Sequence, residues 1–149
     1  MTFDPEEFMQ TSVKGATDTH FVPIPEGDYL ALVDAVMPPK ATDEGRVYMH
    51  VVFNIDSDNL RKSMDREKVV VRQTVWLDID ETGHLDNGRG KNVPLGRLRE
   101  ALGQNNPEIE WKPPMMVGRP CRIKVTQRAD KGAGGTGEIF NDVKGVTAL

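Results

Sequence analysis

Two runs of alternating residues, separated by a charged connection, constrain the fold of this chain more than any other feature. They lie between Arg46 and Asp80. One parity of each run is apolar: Val47, Met49, Val51, Phe53 and Ile55 in the first, and Val69, Val71, Val75 and Leu77 in the second. A period of two is typical of half-buried strands, so the pattern predicts one long β-hairpin.

The opposite parity of both runs mixes cations, rings and hydrogen-bonding groups. It carries Arg46, Tyr48 and His50 in the first run and Arg72, Thr74 and Trp76 in the second. Because the apolar parity is needed for the core, we expect this second face to carry the function.

Length and composition set broad limits. With 149 residues and 38% hydrophobic content, the chain can form one domain with a real core. It has no apolar run of about 18 residues and no secretion-signal pattern in its first residues, so we expect a cytoplasmic protein without a membrane segment. Its single cysteine, Cys121, is expected to be a reduced, buried thiol.

The net charge of -4 hides an uneven distribution. Residues 1–60 hold 3 basic and 11 acidic side chains, a net of -8, whereas residues 61–149 hold 16 and 12, a net of +4. Since salt screens charges beyond about 8 to 10 Å, local fields decide whether a polyanion binds. An acidic chain can therefore still carry a basic groove.

The order of elements predicts the architecture. Residues 1–20 form a polar arm with a short helical turn begun by Asp4 and Pro5, and residues 21–149 form the domain. A first strand at Asp28–Val36 precedes the hairpin, whose connection, Asp56–Glu67, is expected to be mobile. A helix follows in NVPLGRLREALG, and Ile109, Trp111 and Met116 are expected to close one end of the core. The strands CRIKVTQR and IFNDVKGV end the chain, joined by the glycine loop ADKGAGGTGE.

That order is strand, strand, strand, helix, strand, strand. It is the order of the OB-fold, a mainly β, five-stranded Greek-key barrel with a short helix between strands 3 and 4. An open antiparallel sheet with one covering helix is the competing architecture.

If the barrel forms, cations and rings of the hairpin and of the fourth strand would lie on neighbouring strands. We expect Arg72, Arg122, Lys124 and Arg128 to neutralise phosphates, and Tyr48, Trp76 and Phe140 to stack bases. The candidate nucleic-acid-binding residues are Arg46, Tyr48, His50, Arg72, Trp76, Arg122, Lys124, Arg128, Lys131 and Phe140. The alternative is a merely solvated polar face, with Trp76 and Tyr48 capping the core.

Other chemistries find less support in the sequence. KGAGGTG joins two strands and lacks the lysine and hydroxyl residue of a phosphate-binding loop. DIDETGHLD begins like a calcium loop, but Arg89 stands where the bidentate glutamate belongs, so Asp78 and Asp80 are expected to end a strand. The carboxylates are scattered, which leaves a metal-dependent nuclease as a minor alternative. We expect no cofactor, no bound metal and no enzymatic activity.

Four segments carry a family resemblance. They are FVPIPEGDYLALV, the loop with Lys40 and Gly45 before YMHVVFNI, LGRLREALG, and GEIFNDVKGV with its Asn141. Together they span roughly Phe21 to Val146, and the chain resembles the single-OB-fold, single-stranded DNA-binding proteins of bacteriophages. The resemblance implies sequence-independent binding and protection of single-stranded DNA during phage replication and recombination, in the cytoplasm of an infected bacterial host.

Partners follow from the same resemblance. Single-stranded DNA would be the main one, with phage replication or recombination proteins as further partners. Cellular proteins of this function commonly end in an acidic tail, whereas this chain ends GVTAL, which argues against recruitment through a tail. The oligomeric state is left open, a homo-oligomer included. The runner-up function is an OB-fold assembly or virion protein whose polar face meets another protein.

Overall fold

The predicted hairpin forms one end of the sheet in a computed structural model, which describes residues 2–130, 135 and 137–149. The strands are β1 (Gly27–Val36), β2 (Lys40–Ala41), β3 (Val47–Ile55), β4 (Val70–Leu77), β5 (Pro120–Ala129) and β6 (Ile139–Thr147). The helices are α1 (Pro5–Met9), α2 (Asp58–Ser63), α3 (Val93–Ala101) and a 3-10 helix (Pro113–Met116). The mainly β class is therefore confirmed.

All strand pairs described are antiparallel and belong to one sheet. The five longer strands run in the order β4-β3-β1-β5-β6, and the short β2 pairs with the beginning of β3. The hairpin is continuous, since β3 and β4 pair from Val47 opposite Leu77 to Asn54 opposite Val70. The prediction of one long hairpin is confirmed.

Two features differ from the predicted five-stranded closed barrel. A sixth strand, β2, forms after Pro38 and Pro39, where the chain turns back onto β3. In addition, no backbone ladder joins β4 to β6 within the part of the chain that the structure describes. Instead α3 packs against both of these strands, and its buried Leu95 and Leu98 cover the core there. The sheet is thus closed by a helix on that side, and not by hydrogen bonds.

The core follows the alternation of the sequence. Met49, Val51, Phe53 and Ile55 of β3 are at most 3% exposed, and Val71 and Val75 of β4 lie beside them. In β5 the buried side chains are Cys121, Ile123 and Val125. Burial of each such side chain stabilises the fold by about 1.5 to 3 kcal/mol. The buried parity therefore determines which face of every strand points outward.

Two predictions about covered surfaces are wrong. The near-continuous apolar character of Asp28–Val36 predicts cover on both sides for part of this strand, yet Leu30 and Leu32 are 45% and 42% exposed. We also expected Ile109 to close the core, but it is 58% exposed, whereas Met116 is fully buried and Trp111 packs against the core. The apolar outer face of β1 therefore faces solvent in this chain.

The charged connection of the hairpin is more ordered than predicted. It contains α2, which begins after Ser57, whose hydroxyl oxygen accepts a hydrogen bond from the Leu60 amide at 3.2 Å. Leu60 is buried, and Arg61 donates to the carbonyl oxygen of Ile55 at 3.1 Å. A hydroxyl cap and a single apolar anchor are enough to hold this helix on the end of the hairpin.

Asn92 fastens the end of β4 to the beginning of α3. Its side-chain amide donates to the carbonyl oxygens of Asp78 and Asp86, at 2.9 and 2.8 Å, and its side-chain oxygen accepts from the Asp78 amide at 2.8 Å. The residue is 8% exposed and has a left-handed backbone, with φ 53°. Asn tolerates this conformation better than most residues, so both its backbone and its side chain suit the position.

Candidate functional site

The outer face of the β3–β4 hairpin carries a cross-strand aromatic pair. Tyr48 and Trp76 are directly opposite each other in the ladder, and their ring centroids are 5.3 Å apart at an interplanar angle of 59°. Both side chains point away from the core because their neighbours Met49 and Val75 point into it. Trp76 is 39% exposed, which places it on the outer face and rules out the alternative that it caps the core.

Two further groups extend this pair into a row. The guanidinium carbon of Arg46 lies 4.0 Å from the centroid of the Trp76 ring, and the His50 ring lies 5.2 Å from the Tyr48 ring. A cation over an indole contributes about 0.5 to 1 kcal/mol at an exposed site. Arg46, Trp76, Tyr48 and His50 thus form a row of planar side chains in which each contacts the next. We call it the aromatic row.

A groove continues from the His50 end of the aromatic row, along the boundary between β4 and β6. Its volume is about 370 Å³, and its lining includes His50, Arg72, Thr74, Arg128, Phe140 and Asp142. Because no ladder joins β4 to β6 among the described residues, the two strands are separated and the groove lies between them. We call it the β4–β6 groove; it brings four of the predicted residues together: His50, Arg72, Arg128 and Phe140.

Positive charge surrounds His50. Burial, followed by the charges of Arg72 and Lys40, lowers the pKa of His50 below its ordinary value of 6.5. The side chain is therefore neutral at pH 7 and sits in a positive field. An anion placed between these groups would reverse the effect of the field and favour the protonated ring.

Arg128 is partly neutralised within the groove. Its Nε atom donates to a carboxylate oxygen of Asp142 at 2.9 Å, and its guanidinium lies 5.5 Å from the centroid of the Phe140 ring. Both charged side chains remain about half exposed, at 60% and 46%. An exposed ion pair of this kind contributes at most about 1 kcal/mol, so a phosphate can displace the carboxylate at small cost.

The structure separates two predicted residues from this cluster. Arg122 and Lys124 are exposed on β5 and pair with Leu30 and Asp28 of β1. Because β1 lies between β5 and β3, the expectation that they neighbour the hairpin is wrong. Lys131 and most of the glycine loop lie outside the described residues.

Lys40 is a candidate that the sequence prediction missed as a site residue. It is exposed on β2 and pairs with Tyr48, next to the aromatic row. A two-residue strand after two prolines has no periodicity, so the sequence placed this lysine in a loop without assigning it to a face.

The carboxylates of the acidic segment after β4 accept hydrogen bonds from neighbouring residues of the turn and from Asn92. Asp80 accepts hydrogen bonds from the amides of Thr82 and His84, at 2.9 and 3.0 Å, and from the Thr82 hydroxyl. A carboxylate oxygen of Asp78 accepts from the Asn92 amide at 2.8 Å. Because β4 ends at Leu77, directly before Asp78, the prediction that this segment ends a strand is confirmed.

The chain matches no protein-family model, and no curated protein is significantly similar to it in sequence. Among the helices of the described residues, none has the length and apolar character needed to cross a membrane. The site must therefore be interpreted from its own chemistry.

Proposed function

We propose that the protein binds single-stranded DNA without sequence preference, on the aromatic row and along the β4–β6 groove. The observation that carries the proposal is the pair of Tyr48 and Trp76, half-buried and exposed respectively, on the face of the hairpin that does not pack on the core. Every base has a face that can stack on such a ring, at about 1 to 3 kcal/mol per base. Stacking of this kind does not read sequence.

The charges beside the rings match a nucleic-acid backbone. Lys40, Arg46 and Arg72 form no ion pair within the described part of the chain, and they follow the aromatic row toward the groove. A single strand whose bases stack on Trp76 and Tyr48 would place its phosphates near these cations. Duplex DNA keeps its bases stacked on each other, so it offers no free base face to the rings.

The arrangement of strands supports the same proposal. The order β4-β3-β1-β5-β6, with a helix between β4 and β5, corresponds to an OB-fold in which α3 takes the place of the closing ladder. In OB-folds the faces of the second and third strands bind oligonucleotides, and these correspond to β3 and β4. We infer a role in phage DNA replication or recombination, within the infected bacterial cell, as a binding protein and not as an enzyme.

The test uses the fluorescence of Trp76. Since the chain has two tryptophans, Trp111→Phe leaves Trp76 as the sole reporter. We expect an unstructured oligonucleotide of about 20 nucleotides, longer than the roughly 4 to 16 that one such domain covers, to quench this emission at low salt. Duplex DNA of equal length should do so much more weakly. Unchanged emission together with unchanged gel mobility would refute the proposal.

One control addresses catalysis. The oligonucleotide is incubated with the protein and Mg²⁺ and then examined on a denaturing gel. An intact oligonucleotide agrees with a binding protein, whereas progressive shortening that the Trp76→Ala variant retains would favour the nuclease alternative.

A further inference from the structure

The arm before the first strand carries a capped helix, α1, which has no buried side chain in the described part of the chain. Every side chain from Thr2 to Val22 is exposed, including Phe8 at 61% and Met9 at 79%. Nevertheless α1 is capped by Asp4, whose carboxylate accepts from the Glu6 and Glu7 amides at 3.0 and 3.5 Å. The Phe3 and Phe8 rings lie 5.9 Å apart, so the helix presents a paired aromatic surface.

Such a helix needs a binding surface. A five-residue helix is far too short to be stable alone in water, and packing supplies most of the stability of helices in proteins. The arm is also acidic, since residues 2–20 hold four carboxylates and one lysine. The surface that it fits should therefore be apolar with a basic border.

The described residues contain a groove of that character beside α3. An apolar cavity of about 350 Å³ is lined by Val36, Met49, Leu77, Leu85, Leu95 and Pro113. A second cavity, also about 350 Å³, shares Leu85 and Leu95 with the first, and its charged lining residues are Lys91, Arg97, Arg99 and Glu100. We call the two together the α3 groove. The three cations outnumber the one carboxylate of this lining, and the net positive charge complements the acidic arm.

The attachment of the arm at Ile24 and the α3 groove lie at opposite ends of β1. The arm is tied down near the beginning of β1, where Asn141 exchanges hydrogen bonds with Ile24 at 2.8 and 2.9 Å. The groove includes Val36 at the other end, about 30 Å away along a ten-residue strand. A contact between opposite ends of two molecules is heterologous, and repeated it produces a chain of copies.

We propose that α1 of one copy docks into the α3 groove of a second copy, so that copies associate head to tail. Phe3, Phe8 and Met9 enter the apolar part, while Glu6 and Glu7 face Lys91 and Arg97. None of the four side chains of the aromatic row lines the α3 groove, although Leu77 lines both this groove and the neighbouring cavity that contains Arg46 and Trp76.

Sedimentation velocity of the full chain, without DNA, tests the proposal over a range of concentrations. We expect larger species to form as concentration rises, and Phe8→Ser to weaken this association about tenfold or more, because one buried aromatic anchor is lost. Leu149→Ser is the matched control, since it removes another exposed apolar side chain, 68% exposed, outside the arm. It should leave the association unchanged.

Charge reversal tests whether α1 and the α3 groove are the two surfaces that meet. The E6K/E7K variant and the K91E/R97E variant should each associate weakly alone, and an equimolar mixture of the two should recover the association. Two results would overturn the proposal: a monomer at every concentration, or an association that Phe8→Ser and both reversals leave intact. If the protein instead sediments as a compact monomer and Phe8→Ser makes this monomer less compact, the arm binds the groove of its own molecule. That result would also overturn the proposal. Because no DNA is present, the outcome is independent of the DNA-binding proposal.

Discussion

The Trp76 ring lies beside the Tyr48 ring across the β3–β4 ladder, with centroids 5.3 Å apart and ring planes inclined by 59°, and the guanidinium carbon of Arg46 lies 4.0 Å from the Trp76 centroid. Trp76 is therefore fixed by two neighbours and yet 39% exposed. A side chain that is rigid before it binds loses little conformational entropy on binding. The pair is thus suited to stacking on a flat ligand.

The first prediction concerns Trp76 itself. Trp76→Ala should weaken single-strand binding by about 1 to 3 kcal/mol, because one stacking surface is lost. Thermal unfolding should change little, since the side chain lies on the outer face. A titration by fluorescence anisotropy of a labelled oligonucleotide, paired with a melting curve, separates the two effects. A large fall in melting temperature with unchanged affinity would contradict the stacking role.

The second prediction separates the cations of the site from Arg122 and Lys124 of β5. Arg72→Gln should reduce the slope of log affinity against log salt by about 0.7, the value for one phosphate on a single strand. Arg122→Gln should leave the slope nearly unchanged, because β1 lies between β5 and the hairpin. Anisotropy titrations at several salt concentrations give both slopes. Equal losses for the two variants would place the strand on the β5 face instead.

The third prediction is a pH dependence at His50. Burial, Arg72 and Lys40 lower its pKa in the folded chain, and a bound phosphate would offset the two cations and raise it again. Binding then takes up a proton, so affinity should increase as the pH falls from about 8 to about 5.5. His50→Gln should remove this increase, measured by the same titration at each pH.

The lowered pKa of His50 also affects the stability of the free protein, which should fall with pH whereas the affinity rises. The unfolded chain binds a proton at His50 more readily than the folded chain does, so this residue contributes stability above its ordinary pKa of 6.5 that is lost as the pH falls below it. Urea unfolding of the native chain and of His50→Gln should show the difference. An identical pH dependence of both chains would mean that neither burial nor the neighbouring cations lower the pKa of His50 in the folded chain.

The sequence predicted well where local periodicity decides. The alternation from Val47 to Ile55 and from Val69 to Leu77 identified the hairpin, its core face and its outer face, because burial of one parity leaves no freedom for the other. It did not determine which strand lies beside which. The error for Arg122 and Lys124 came from this, since strand pairing between distant segments leaves no trace in either segment alone.

Short elements were missed for a different reason. The two residues of β2 and the six of α2 are below the length at which a period is visible, and both are held by contacts from elsewhere. Lys40 was therefore not assigned to the site, and the β4–β6 groove could not be foreseen, because it depends on the missing ladder between two strands.

The fourth prediction concerns the thiol. Burial raises the pKa of Cys121 to about 11, and the side chain is fully buried in the core. At about pH 8 the folded protein should therefore resist alkylation by iodoacetamide, since the thiolate is the reactive form. Mass spectrometry should find one adduct only after denaturation. Rapid modification of the native chain would mean that the β5 strand opens readily.

The last prediction separates stability from binding. Asn92→Ala removes three side-chain hydrogen bonds that join β4, the following loop and α3, and it places alanine at a φ of 53°. Leaving buried backbone groups without partners should lower the free energy of unfolding by about 2 to 4 kcal/mol. Urea titration measures this loss, and Asn87→Ala, an exposed asparagine of the same loop, should stay within about 0.5 kcal/mol. Affinity per folded molecule should be unchanged in both variants, because Asn92 contacts neither the aromatic row nor the β4–β6 groove.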